Sequence, residues 1–266
     1  MARKRRPDGK RLRKAARNPD FISGIYNYCD RWCEKCGFTS RCMVYAMEQE
    51  SRETEADAGG KDNYWDDVQD NLHAAVDLLR DMATERGIDL EAEDSSAEVI
   101  EHDRQRSEEH PLAKCAEDYA IKMDAWFKTH QDLLNEKRGE LISADEAGLP
   151  GRNPVREAEE IRDALEVINW YQFQIAAKVV RALHQEPDDA EDEADADACA
   201  DDSSGSAKVA LIGIDRSLAA WTRLREHIPQ EGDEILDILV HLDRLRRAIE
   251  AEFPSARGFK RPGFDE

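Results

Sequence analysis

Four of the chain's six cysteines lie within one short stretch, in the string YNYCDRWCEKCGFTSRC. Their spacing is Cys29-x3-Cys33-x2-Cys36-x5-Cys42, and charged side chains stand between them. Buried structural cysteines behave as small apolar side chains, so a polar neighbourhood is a poor place for four of them. Cysteine thiolates are also the ligands that hold zinc and iron–sulfur clusters in proteins. The stretch therefore predicts a metal centre with these four cysteines as ligands.

The compact spacing favours a [4Fe-4S] cluster over a single zinc ion as the occupant of this centre. Structural zinc sites usually divide their ligands into two close pairs separated by a longer loop, whereas here no gap exceeds five residues. On a continuous helix, Cys29 and Cys36 would lie about 10.5 Å apart along the axis, which one ion cannot bridge. Compact cysteine runs are how iron–sulfur clusters are held. Zinc stays the alternative.

The segment Cys33–Cys42, CEKCGFTSRC, has a C-x2-C-x5-C spacing. This spacing resembles that of the last three ligands in the [4Fe-4S] loop of endonuclease-III-type DNA glycosylases, and it is similar to the matching part of WhiB-type regulators. Both families usually place Pro after the second of these cysteines, where this chain has Gly37. The longer string resembles a segment of a family of uncharacterised bacterial helical proteins. These resemblances imply a cluster but not a glycosylase, because the sequence has no helix-hairpin-helix signature.

The balance of residue types favours helices with a wide solvated face. Apolar residues make up 40% and charged residues 36% of the 266, and Glu, Lys, Arg and Ala favour helices over strands. The formal net charge is -21, although residues 1–17 carry nine Lys/Arg. The rest of the chain is therefore strongly acidic. It repels nucleic acid and anionic membranes, which argues against both as partners. A protein partner could bind the basic arm, predicted to be disordered over residues 1–20, or an acidic loop.

The sequence also predicts a cytoplasmic protein. Charged residues interrupt the basic arm, which therefore lacks the apolar core of about 7–15 residues that follows the charges of a signal peptide. No window reaches the roughly 18 apolar residues expected of a membrane span. Because thiols stay reduced in the cytoplasm, clustered cysteines there favour metal binding over disulfides.

The elements expected to position the cysteines are helices. The sequence predicts an all-α bundle of five or six helices over residues 61–255, with a cysteine-rich cluster-binding segment at residues 21–50. Residues 186–206 are acidic and of low complexity, which predicts a disordered loop within the bundle. Residues 256–266 contain enough Pro and Gly to predict an irregular tail.

Apolar residues at three- and four-residue steps predict the buried face of each helix. One helix runs from about Asp62 to Arg86, and Pro111 suits the first turn of a later one. The uncharged string VINWYQFQIAA predicts a helix in the middle of the bundle. The predicted stripes include Leu72, Val76, Leu79 and Met82 in the first helix, Tyr119, Met123 and Trp126 in a later one, and Ile214, Trp221, Leu224, Ile235, Leu242 and Leu245 in the last two.

Outside the cysteines, no pattern singles out a catalytic site. A carboxylate–histidine face that includes His73 and Asp77 predicts a solvated surface rather than a metal site. His130 lies in an apolar stripe and predicts a core histidine with a satisfied hydrogen bond rather than a metal ligand. Four thiolate ligands leave no open iron, which favours a structural, redox-sensing or electron-transfer role. A zinc-stabilised helical adaptor and an enzyme with a pocket inside the bundle stay open as alternatives.

Overall fold

The computed structural model describes residues 15, 18–58, 64–87, 97–148, 151–184 and 193–265. All regular structure in these residues is helical, which confirms the predicted all-α class. They contain eight α-helices rather than the predicted five or six: α1 Met43–Ala58, α2 Tyr64–Arg86, α3 Ala97–Glu109, α4 Pro111–Thr129, α5 Gln131–Glu146, α6 Pro154–Leu183, α7 Glu193–His227 and α8 Gly232–Glu252. Within this described part, no helix has the length and apolar content needed to cross a bilayer.

Two local features raise the number of helices above the prediction. The stretch after Cys42 forms α1, a helix outside the predicted bundle, because its Glu, Met and Ala residues favour a helix. The helix that begins at Pro111 breaks at His130, whose φ of -101° and ψ of 16° leave the helical region, so that α4 ends and α5 begins there. Pro111 itself takes the first turn of α4, and the His110 side chain accepts a hydrogen bond from Leu112 N–H at 3.3 Å.

The chain divides into two compact units. The cysteine unit comprises residues 1–97 together with Arg261–Glu266, and the helical unit comprises Glu98–Lys260. The helices α1 and α2 therefore belong to the cysteine unit. The predicted basic arm lies almost entirely outside the described residues, which begin with residue 15 and resume at residue 18.

The helical unit is built around one apolar core, and the predicted stripes of α7 and α8 supply much of it. The Trp221 ring packs edge-on against Trp126 with 4.9 Å between centroids, and its Nε1 donates a hydrogen bond to the Tyr119 hydroxyl at 3.2 Å. Burial raises the pKa of Tyr119 to about 12, so the hydroxyl stays protonated at neutral pH. Further fully buried side chains are Leu211, Ile214, Leu224, Ile228, Ile235, Leu242, Leu245 and Ile249.

The helices α6 and α7 approach each other closely because small residues lie where they meet. A Cβ added at Gly213 of α7 would stand 2.9 Å from Tyr171 Cδ1 on α6. Residues 193–206, predicted to be disordered, are part of α7, and Ser206 and Ala207 are fully buried. Acidic residues stabilise a helix N-terminus through the helix dipole, and the Ala residues between them favour helix, which explains the difference. Residues 185–192 of the predicted loop lie outside the described residues.

The predicted apolar stripe of α2 is exposed rather than buried, since Leu72 and Leu79 are 64% and 62% exposed. In the string predicted to lie in the middle of the bundle, Ile168, Tyr171 and Ile175 are buried, whereas Phe173 is 59% exposed. Periodicity indicates which residues share a helix face, whereas coverage of that face depends on the elements that pack nearby. His73 and Asp77 are exposed, in agreement with the predicted solvated face.

Candidate metal centre

A backbone hydrogen bond closes the cysteine segment into a loop. The N–H of Ile22 donates to the C=O of Arg41 at 3.0 Å, so the chain between them returns to its starting point. Ile25 and Trp32 of this loop are 2% and 6% exposed. Two buried apolar side chains and one closing hydrogen bond therefore fix a segment that contains no α-helix.

Two short 3-10 turns position three of the four cysteines. One spans Cys33–Lys35 and the other spans Thr39–Arg41. The N–H of the residue that follows each turn, Cys36 or Cys42, donates to the C=O of the turn's first residue at 3.2 Å. Each turn therefore ends on a cysteine, and the chain changes direction between them. The separation of about 10.5 Å expected on a continuous helix does not apply to such a path.

The residues between Cys29 and Cys33 adopt a sharp turn. Arg31 has a φ of 56°, in the left-handed region that non-glycine residues rarely occupy. The Trp32 N–H donates to Asp30 Oδ1 at 3.2 Å, and the Cys33 N–H donates to the C=O of Arg31 at 3.0 Å. Asp supports turns through such bonds to the backbone two residues on. This turn allows the first cysteine to stand only four positions before the second.

The four predicted ligands are all half-buried. Cys29, Cys33, Cys36, Cys42 and Cys115 form no disulfide in the described residues. Burial raises the pKa of the Cys33 thiol, and the negative charges of Glu48 and of the other three cysteines in the loop raise it further. Charge effects of this kind weaken with distance. The other three cysteines therefore lie close enough to Cys33 to raise the pKa of its thiol.

Backbone groups contact two of the sulfur atoms. The Phe38 N–H donates to Cys36 Sγ at 3.4 Å, and Cys29 Sγ donates to the C=O of Tyr26 at 3.5 Å. Hydrogen bonds to ligand sulfurs are among the features by which a protein sets the potential of an iron–sulfur cluster. The bond from Phe38 stabilises negative charge on Cys36, which suits a thiolate ligand.

The sulfur atoms are spaced more widely than a single zinc ion requires. A tetrahedral zinc ion bound to sulfur at about 2.3 Å holds its sulfurs about 3.8 Å apart. In the described ranges, no three cysteine sulfurs lie within 4.8 Å of one another. The three potential ligand atoms that do lie so close belong to His130, Glu231 and Glu234, in the helical unit. The four thiols are therefore not closed around the volume of one ion in the described loop.

The C-terminal residues pack against the cysteine loop within the same unit. The rings of Phe264 and Phe38 meet edge to face with 5.1 Å between centroids, and the Arg261 guanidinium lies 4.8 Å from the Phe264 centroid. Arg261 is held in turn by Asp265, with Nε to Oδ2 at 2.9 Å. A Cβ added at Gly263, whose φ is 76°, would stand 2.9 Å from Ile22 Cδ1.

This contact gives a structural role to residues that the sequence analysis described only as an irregular tail. Residues 256–266 hold the 3-10 turn Ala256–Gly258 and the segment that covers Phe38. The Pro and Gly content correctly predicts the lack of a long helix, but it does not indicate what the segment covers. The alternation of aromatic and glycine residues in GFKRPGF is the one signal in the sequence that the tail packs closely.

Comparisons of this chain with protein-family models, with curated proteins and with solved structures found no match. The function is therefore argued from the geometry and donor chemistry of the chain itself.

Proposed function

We propose that this protein binds a [4Fe-4S] cluster through Cys29, Cys33, Cys36 and Cys42, with a structural, redox-sensing or electron-transfer role. The observation that carries the proposal is the pair of consecutive 3-10 turns in one closed loop, each followed directly by a cysteine. The backbone hydrogen bonds of such a loop hold short turns next to the cysteines rather than forming a continuous helix. Soft thiolate donors of this number suit iron–sulfur clusters and zinc above other metals.

The spacing of the sulfur atoms supports a cluster over a zinc ion. A cubane of four irons and four sulfides is several times larger than one ion, so its cysteine ligands stand farther apart than the roughly 3.8 Å around zinc. No three loop sulfurs lie within 4.8 Å of one another in the described chain, so binding of a single zinc ion would require the loop to bring them closer together.

The surroundings of the loop favour a cluster that is partly shielded from water. Trp32 is buried, Phe38 is half-buried beneath Phe264, and the Lys35 ammonium lies 4.2 Å from the centroid of the Trp32 ring. Solvent access and nearby charge both tune the potential of an iron–sulfur centre. When bound, the cluster would supply one-electron chemistry, and the chain's part is to bind its irons and to exclude water.

A structural role is supported by how few side chains of the cysteine loop are buried. Of the loop residues 22–41, all of which the structure describes, Ile25 and Trp32 are the buried ones. Small units with so little buried surface commonly depend on a bound metal or disulfides for their stability. Four metal–thiolate bonds would supply the cross-links that this loop otherwise lacks.

The proposal is tested by purifying the full chain without oxygen and measuring iron, sulfide and zinc together with the visible absorption of thiolate-bound iron. We expect close to four irons and four sulfides per chain. Replacing any one loop cysteine, for example Cys36→Ala, should lower the iron content sharply, whereas Cys115→Ala in the helical unit should leave it unchanged. A colourless protein with one zinc per chain would reject the cluster in favour of the zinc-stabilised adaptor.

The roles are separated by comparing the oxidised and reduced protein. A redox sensor should change its stability or its protease sensitivity between the two states. With a structural cluster, stability and protease sensitivity should be the same in the oxidised and reduced states. Removal of the cluster should nevertheless open the loop. A reversible potential with no change of stability between the states would instead favour electron transfer.

A further inference from the structure

A second group of potential metal ligands lies in the helical unit, at the junction of α4 and α5. His130 is 8% exposed and stands between the two helices. Its Nε2 lies 3.3 Å from Glu231 Oε2 and 3.5 Å from Glu234 Oε2. Glu231 ends the 3-10 turn Pro229–Glu231, and Glu234 lies in the first turn of α8. Residues separated by about one hundred positions in sequence therefore converge on one imidazole nitrogen.

The other ring nitrogen determines what Nε2 can do. His130 Nδ1 lies 2.9 Å from the C=O of Trp126, and a carbonyl oxygen can only accept, so Nδ1 carries a proton. In the neutral ring, Nε2 then presents a lone pair to two carboxylate oxygens, which are also acceptors. Three acceptors within 4.8 Å of one another favour a cation between them. That cation is either a proton on Nε2 or a metal ion.

We propose that His130, Glu231 and Glu234 bind a divalent transition metal ion of the Zn²⁺ class. Imidazole nitrogen and carboxylate oxygen are both zinc ligands, and three protein ligands with an open position are typical of zinc sites that bind water. A metal-binding histidine almost always donates its second ring N–H to a carbonyl or carboxylate, which is the bond that Nδ1 makes to Trp126. Two carboxylates and a neutral imidazole give the site a net charge of -2, which a divalent ion neutralises and a proton does not.

The site is rigid on one side and open on the other. The His130 ring stacks on Trp126 with 4.4 Å between centroids and 16° between planes, and Trp126 packs in turn against Trp221. The Glu231 and Glu234 side chains are 26% and 52% exposed. The histidine is therefore fixed by the core, while the carboxylates can adjust to the ion and leave a position for water. This site is independent of the proposed cluster, since its ligands are nitrogen and oxygen in a different unit.

The site is tested by titrating Co²⁺ into the full chain with its cysteine centre already loaded. We expect one equivalent to bind with the ligand-field absorption of nitrogen and oxygen ligands, and without the charge-transfer absorption that thiolate ligands would add. Replacement of the imidazole ligand, His130→Gln, should weaken this binding by more than about tenfold. The exposed histidine of α2 supplies the matched control, and His73→Gln should bind as the parent does.

A second variant and a second measurement cover the case in which His130→Gln does not fold. Glu234→Gln changes a half-exposed side chain, so the fold should persist while Co²⁺ affinity falls. Nitrogen NMR of His130 in the metal-free protein reports the protonation of Nε2. Failure to bind Co²⁺, or binding that survives both substitutions, would overturn the proposal. An imidazolium that persists in the presence of excess metal would show that a proton occupies the site instead.

Discussion

In the helical unit, long helices bury a continuous apolar core, whereas the cysteine unit holds its loop with two large buried side chains, Ile25 and Trp32. In the helical unit, buried side chains recur every three or four residues along each helix, so the loss of one side chain leaves many others in place. The cysteine unit instead relies on short turns, one loop-closing hydrogen bond and the rings of Phe38 and Phe264. Different sources of stability should therefore fail under different conditions.

The largest expected difference between the units follows removal of the proposed cluster. Without it, the amides of Ile22, Cys36 and Cys42 should exchange with solvent about a hundredfold faster or more, because metal binding and folding of such loops are coupled. Amides of α7 should keep their protection, since their core contains no part of the loop. Hydrogen exchange followed by mass spectrometry measures both regions at once. Equal protection of the loop with and without metal would show that Ile25 and Trp32 suffice to hold it.

Truncation of the Trp221 side chain should have the opposite effect: the helical unit should lose stability and the cysteine unit should not. Trp221→Ala removes a fully buried side chain and should lower the free energy of unfolding of the helical unit by about 3–5 kcal/mol. The metal content of the cysteine unit should not change. Leu236→Ala, at a side chain 45% exposed on α8, is the control and should alter stability by less than about 0.5 kcal/mol. Denaturant unfolding and metal analysis of the same samples check both parts.

Gly213 and Gly139 both lie in helices of the helical unit, yet replacing each with alanine should change its stability in opposite directions. At Gly213 the new methyl group would meet the buried Tyr171 ring at 2.9 Å and Ile175 at 3.1 Å, so Gly213→Ala should destabilise by about 1–3 kcal/mol. At Gly139 of α5 nothing lies within 4 Å, and Gly139→Ala should stabilise by about 0.5–1 kcal/mol. Denaturant midpoints of both variants provide the measurement; a stabilising Gly213→Ala would mean that α6 and α7 separate readily.

The smallest expected effect concerns acid stability of the helical unit. Burial acts to raise the pKa of Glu157, but hydrogen bonds from Lys137 and Arg152 outweigh it, and the pKa lies below its ordinary value of 4.5. The unfolded chain therefore binds a proton at higher pH than the folded chain does, so this stabilisation is present above 4.5 and is lost as the pH falls through the lower folded value.

Glu157→Gln should remove that contribution, so below pH 4.5 its melting temperature should decrease less steeply with falling pH than that of the parent. The exposed Glu159 of the same helix is the control, and Glu159→Gln should retain the parent's slope. Melting temperatures measured from neutral to acidic pH test this. An unchanged slope in Glu157→Gln would show that the contacts with Lys137 and Arg152 do not contribute to acid stability.

Local sequence patterns were enough to predict the helical class, the stripes of α7 and α8 and the start of α4 at Pro111. These follow from local rules, because side-chain periodicity and the fixed φ of proline act within a few residues. The four cysteines were also singled out from spacing alone. Whether they bind a cluster stays a prediction, and metal analysis decides it.

The tertiary structure decided what periodicity cannot report. It left Leu72 and Leu79 exposed, ordered residues 193–206 into α7, and placed Phe264 on Phe38. It also brought Glu231 and Glu234 to His130, which was correctly predicted as a buried histidine with a satisfied hydrogen bond. Contacts between residues far apart along the chain depend on how helices pack, and no pattern within a single helix contains that information.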